Sequence, residues 1–135
     1  MVTRSRIGIE LSDGSVLSAY HHWSGYPEWL GRILRTHYNS FEKASELIDG
    51  GDMSCAWTDD RWDNSGDGSY GPNHYALRGD DCPPRLDANV VEYLKDGEEY
   101  DYLFRDREWS YCNRHQFEDT EMAEVVQIPS AALAV

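Results

Sequence analysis

Residues 6–23 read RIGIELSDGSVLSAYHHW, and the fold follows from the way two apolar-alternating runs flank Asp13-Gly14. On the first run Ile7, Ile9 and Leu11 share a face. On the second, Val16, Ser18, Tyr20 and His22 share one face and Leu17, Ala19, His21 and Trp23 the other, because successive strand residues point to opposite sides. Asp-Gly between such runs is a strong local signal for a β-hairpin. The stretch predicts antiparallel strands near 6–11 and 16–23 joined by a turn centred on two residues. A chain that opens in this way differs from the strand–helix alternation of a parallel sheet.

Working outward, Ser24-Gly25-Tyr26-Pro27 ends the hairpin, and Pro27 suits the first turn of a helix, where its missing N–H costs nothing. Trp29, Leu30, Ile33, Leu34, His37 and Tyr38 recur at helical spacing. A second helix starts with Asn39 as cap and Glu42 completing a capping box; Phe41, Ala44, Leu47 and Ile48 form its apolar side, and Gly50-Gly51 stops it. Met53–Trp57 reads as a strand, Asp59–Gly71 as a long polar loop, Asn73–Arg78 as a strand and Leu86–Lys95 as a third helix burying Leu86, Val90, Val91 and Leu94. Tyr100–Phe104 and Glu108–Asn113 are strands around an Arg105-Asp106-Arg107 turn. Glu121–Ile128 is the last strand. The expected fold is α+β: one domain over 1–135, a mainly antiparallel sheet of five or six strands, and two or three helices packed on one face.

The 135 residues include 25 acids and 12 bases, for a formal charge of −13. Residues 1–41 carry a net +1 and residues 42–135 a net −14. Such a surface repels phosphate backbones, which excludes nonspecific nucleic-acid binding, and it suits a basic protein partner. The plain alternative is that the acids confer solubility. No apolar run is long enough for a membrane span, and no apolar segment follows the N-terminal arginines as a signal peptide would require. Three widely spaced cysteines, Cys55, Cys82 and Cys112, are not a disulfide framework and fit a reducing cytoplasm.

The stretches TRSRIGIELSDGSV (3–16), YHHWSGYPEWLGRIL (20–34) and HYNSFEKASELIDGGDMS (37–54) resemble a family of small uncharacterised proteins encoded by bacteriophages and prophages. The resembling positions include Thr3, Arg4, Asp13, Gly14, His22, Trp23, Gly25, Tyr26, Pro27, Gly31, Leu34, Tyr38, Leu47, Gly51 and Asp52. Weaker likeness continues in EYDYLFRDREWSY (99–111). The resemblance implies a viral origin and an accessory role in the host cytoplasm, such as blocking a host enzyme or a defence system. It implies no activity, cofactor or catalytic residue.

Among chemistry-bearing residues, His21 and His22 point to opposite faces and do not chelate one metal together. His22, His37 and His74 with a carboxylate match no compact ligand motif. Asp63, Ser65 and Asp67 with Gly68 begin like a calcium loop, but the twelfth position is His74 where the motif requires Glu. No catalytic residue, metal site or cofactor is assigned. The candidate binding residues are the acids Asp59, Asp60, Asp63 and Asp67 with Trp62, which has only polar neighbours, and the corner aromatics Trp23, Tyr26 and Trp29, since Trp and Tyr often dominate interfaces. The expected function is a non-enzymatic acidic phage accessory protein that binds a host protein, itself a nucleic-acid-binding or defence protein; its sharpest form is a DNA mimic or anti-defence inhibitor. Direct nucleic-acid and membrane binding are not expected. The alternatives are a small metal-dependent hydrolase and a virion-associated structural protein.

Overall fold

A computed structural model describes residues 2–62, 70–117 and 123–133. The alternating opening does form a hairpin: β1 (Val2–Glu10) pairs antiparallel with β2 (Val16–Trp23), with Ile9 opposite Leu17. Its loop has three residues, Ser12–Gly14, rather than two. Gly14 N–H bonds to Leu11 O and Leu11 N–H to Ser15 O, which closes the hairpin over a left-handed Gly14 at φ +86°. This conformation is open to glycine at no steric cost. Asp13 Oδ1 braces the loop by accepting from the Ser15 N–H at 3.0 Å.

The helical stripe begins as a five-residue π-type turn, Pro27–Gly31, that runs into α1 (Arg32–His37). The second helix, α2 (Phe41–Asp49), is capped by Ser40 and not Asn39: the Ser40 hydroxyl accepts the Lys43 N–H at 3.2 Å. Then follow β3 (Met53–Thr58), β4 (Gly71–His74), β5 (Arg85–Asp87), α3 (Val90–Lys95), β6 (Tyr100–Arg105), β7 (Glu108–Asn113), β8 (Val126–Gln127) and a last turn α4 (Ser130–Leu133).

Two expected elements change identity. The strand expected over Asn73–Arg78 is β4 followed by a 3-10 turn, Tyr75–Arg78, that ends at Gly79. The third helix does not start at Leu86. Leu86 pairs with Leu17 as a strand residue and stays 63% exposed, and the helix starts later, where the Asn89 side chain accepts the Glu92 N–H. Leu94 is buried as expected and Val90 half-buried, but Val91, expected inside, is exposed, and Tyr93 is buried in its place. Only Val126–Gln127 of the expected last strand is paired among the described residues.

The fold is α+β, with an eight-stranded sheet in the order β4-β3-β2-β1-β6-β7-β8 and β5 attached to β2. Antiparallel pairings predominate, but β1–β6 and β2–β3 are parallel, so the sheet is mixed. β3 and β5 share one edge of β2, β3 at His21 and β5 at Val16–Ser18. The sheet is buried on both faces at its centre. Ile7, Ile9, Ala19, Tyr102 and Phe104 pack under Leu30, Leu34, Ala44, Leu47 and Ile48 of the π-turn, α1 and α2. On the opposite face Val16, Leu103 and Cys112 pack under Tyr93 and Leu94 of α3. Two helices therefore cover one face as expected, and the third covers the other.

Buried polar atoms of the aromatics find backbone partners. Tyr38 OH donates to Ala56 O, Tyr102 OH to Gly25 O, Tyr93 OH to Tyr102 O, and Trp109 Nε1–H to Tyr38 O. These bonds tie both helix layers and the corner after β2 to the sheet. No helix among the described residues is long and apolar enough to cross a membrane.

Candidate functional site

The end of β3 carries an aromatic cluster. Trp57 projects from β3 and is half-buried; His37, at the end of α1, stacks on it with centroids 3.6 Å apart and planes 12° from parallel. Tyr70, immediately before β4, also stacks on Trp57 at 5.6 Å and is 53% exposed. Tyr38 meets the same indole edge-on. A hollow of about 290 Å³ lies here, with Lys43, Glu46, Trp57 and Tyr70 on its walls. Burial and the nearby Lys43 lower the His37 pKa.

The predicted acids adjoin this stack in the chain. Asp59 and Asp60 follow β3 directly and are exposed; the Asp60 N–H bonds to Thr58 Oγ1. Asp63 and Asp67 lie outside the described residues. Trp62 is half-buried rather than exposed, because Tyr75 stacks on it at 5.5 Å and the Arg78 guanidinium sits 4.7 Å from its ring centre. Arg78 in turn pairs with Asp80. The polar neighbours of Trp62 in sequence gave no hint of this ladder, whose other members come from beyond the loop.

The corner aromatics separate. Trp23 and Tyr26 are 45% and 38% exposed, whereas Trp29 is half-buried against the core with its ring 5.9 Å from His21. Beside them His22 packs edge-on to Trp23, and its Nδ1 pairs with Tyr20 OH at 2.7 Å. His21 faces the opposite way, fully buried, and its Nε2 accepts the Ala56 N–H at 3.0 Å. Protonation there would break that bond in a dry site, and burial lowers the pKa to about 3. His74 donates from Nε2 to Leu47 O. The histidines are thus dispersed, and the described residues include no group of three or more His, Cys, Asp or Glu placed to hold a metal ion.

The face under α3 holds a second polar cluster that sequence reasoning missed. Asp101 is fully buried; its Oδ1 accepts the Glu98 N–H, and its Oδ2 has no hydrogen-bond partner. Arg114 approaches Oδ2 at 3.7 Å but donates to Leu94 O at 2.6 Å. Burial raises the Asp101 pKa to about 7, against the opposing pull of the Glu98 N–H, Arg114 and Arg6. Gly97 makes room for this carboxylate, since a Cβ there would overlap it. Arg6, also buried, donates to Ser18 Oγ and Ser18 O. The alternation of β6 puts Asp101 opposite Tyr100 and Tyr102, which is legible, but only the docking of α3 buries it.

No family model, no curated protein and no solved structure matches the chain.

Proposed function

We propose that this protein is a non-enzymatic binding protein that captures a basic protein partner at the end of β3. The observation that carries the reading is that exposed carboxylates, unpaired among the described residues, follow directly in the chain on an aromatic stack whose outer ring, Tyr70, is exposed. Asp59 and Asp60 enter no ion pair among the described residues, and Tyr70 and Trp57 lie at the two ends of the loop that these acids begin. Aromatic rings supply area at little entropic cost, and rim carboxylates steer a cationic partner toward them. A partner built to hold nucleic acid would present such cations, which makes a DNA mimic one form of the proposal. The N-terminal resemblance supports placing it among bacteriophage accessory proteins acting in a host cytoplasm.

The test is capture of partners from bacterial lysate on the immobilised protein, followed by surface kinetics of the purified partner. Association should slow as salt rises from about 50 to about 500 mM, because exposed charge pairs are screened. Asp59→Lys with Asp60→Lys should slow association, and Tyr70→Ala should speed dissociation. Salt-independent association, unchanged in the double reversal, would remove this surface as the recognition site.

A further inference from the structure

The segment that covers Asp101 is short and held from outside. Helix α3 has six residues, fewer than the roughly 12–15 an isolated helix needs in water. Its place over the sheet therefore depends on tertiary contacts. It buries Tyr93 and Leu94 against Val16, Leu103 and Cys112, while Val91 faces solvent. Two arginines from other segments hold its last carbonyls: Arg85 donates to Tyr93 O and Asp96 O, and Arg114 to Leu94 O. The turn after the helix then crosses the Asp101 carboxyl. The Glu98 N–H bonds to Oδ1, and Gly97 lies so near Oδ2 that a Cβ there would overlap it.

The charged and titratable groups around this carboxyl come from every element packed on it. Arg6 of β1 is its register partner and donates to Ser18. Cys112 of β7 is its partner on the other side. Tyr93 of α3 gives its OH to Tyr102 O, and Glu98 in the turn adds a like charge. Arg114 Nη1 lies 3.7 Å from Oδ2 but is bonded to Leu94 O. Farther out, Arg85 and Asp87 of β5 act on Tyr93, and Glu124 acts on Cys112. Among the described residues nothing donates to Oδ2. A protonated carboxyl suits such a site. A carboxylate does not, because an ionised oxygen in a dry site needs donors.

We propose that α3 and the 96–98 turn form a lid that closes on the neutral Asp101 carboxyl and opens when that carboxyl ionises, uncovering Val16, Leu103 and Cys112. Opening brings water to Oδ2 and frees Arg114 Nη1 to turn from Leu94 O to the carboxylate. The direction with pH follows. Under the closed lid burial holds the proton on up to about pH 7, against 3.8 for the carboxyl in water. Opening thus releases a proton between these values. The lid is fully held below 3.8, loosens as pH rises, and reaches its full loosening above 7. His21, buried on the opposite face under α1 and α2, loses its proton near pH 3, so α2 serves as the internal reference.

The test is hydrogen–deuterium exchange of the whole chain at about pH 5 and about pH 7, with each rate divided by the intrinsic rate at that pH. Protection over 93–98 should fall at least tenfold with rising pH, and protection over 44–48 of α2 much less. Asp101→Asn, which can still accept the Glu98 N–H, should keep the low-pH protection throughout. Gly97→Ala, whose methyl takes the place of Oδ2, should leave 93–98 poorly protected at both pH values. Cys112 supplies an independent readout. Its alkylation by iodoacetamide, followed by peptide mass and divided by the rate of free cysteine at the same pH, should rise with pH in the parent and stay flat in Asp101→Asn. The lid is overturned if protection over 93–98 does not fall with pH, or if α2 loses as much, which would mean that the whole fold loosens. It is overturned as well if Asp101→Asn falls like the parent, or if Gly97→Ala is protected like the parent at the lower pH.

Discussion

His21 and Asp101 are both buried, and burial moves their proton affinities in opposite directions. The folded state keeps His21 neutral down to about pH 3, whereas the unfolded ring protonates near 6.5. Stability from this group is therefore present above 6.5 and is lost as pH falls toward 3. The folded state keeps Asp101 protonated up to about pH 7, whereas the unfolded carboxyl ionises near 3.8. Stability from this group is present below 3.8 and is lost as pH rises through 7. Between 3.8 and 6.5 the two slopes, each about 1.4 kcal/mol per pH unit, oppose one another. Asp101→Asn should remove only the falling slope, so the stability of this variant relative to the parent should climb with pH from about 4 to 7. His21→Gln, whose side-chain oxygen can still accept the Ala56 N–H, should show the reverse. Urea unfolding of the three proteins across this range decides it; variant-minus-parent differences independent of pH would mean that neither group is perturbed. The opposite facing of His21 and His22 was legible from strand alternation alone. The burial of Asp101 was not, because the segment that covers it packs through tertiary contacts that the pattern of β6 does not encode.

Among the elements, the ones read correctly carry their own signal. The first hairpin has Asp13-Gly14, α2 has Ala44, Leu47 and Ile48 at helical spacing, and β6–β7 alternates around its turn. The parallel pairings of β1 with β6 and β2 with β3 have no local signal, since neither strand names its neighbour and no short turn joins them. β5 was mistaken for helix because Leu86 falls in phase with Val90 and Leu94, yet three residues from Arg85 to Asp87 gain more by pairing along the free half of β2. The candidate site shows the same division. The acids at 59 and 60 stand out in sequence, but the stack of Trp57 on His37 and Tyr70 joins three separate segments. Helix α1 offers a sharp packing test, because its apolar stripe is unevenly buried. Leu34 is fully buried and Ile33 only partly so. Leu34→Ala should cost about 2–5 kcal/mol in denaturant melts, and Ile33→Ala clearly less. Equal costs would mean that the helix is rotated about its axis from the position described.

At the scale of the whole molecule the dominant fact is charge. A formal −13 on 135 residues produces self-repulsion that the few ion pairs among the described residues do little to offset. Two of those pairs, Arg78–Asp80 and Lys95–Glu92, join exposed groups, and such pairs contribute about 0–1 kcal/mol each. Screening therefore relieves more repulsion than it removes attraction, and sodium chloride raised from about 20 to about 200 mM should increase the thermal midpoint. Two arginines at the β6–β7 turn sharpen the test. With no carboxylate partner among the described residues, Arg105 and Arg107 stabilise the fold only through the long-range field of the acids. Arg105→Gln with Arg107→Gln should thus melt below the parent at low salt and together with it at high salt. A deficit that persists in salt would mean that the two arginines make short-range structural contacts, and a parent midpoint that falls with salt would mean that specific ion pairs outweigh the net charge.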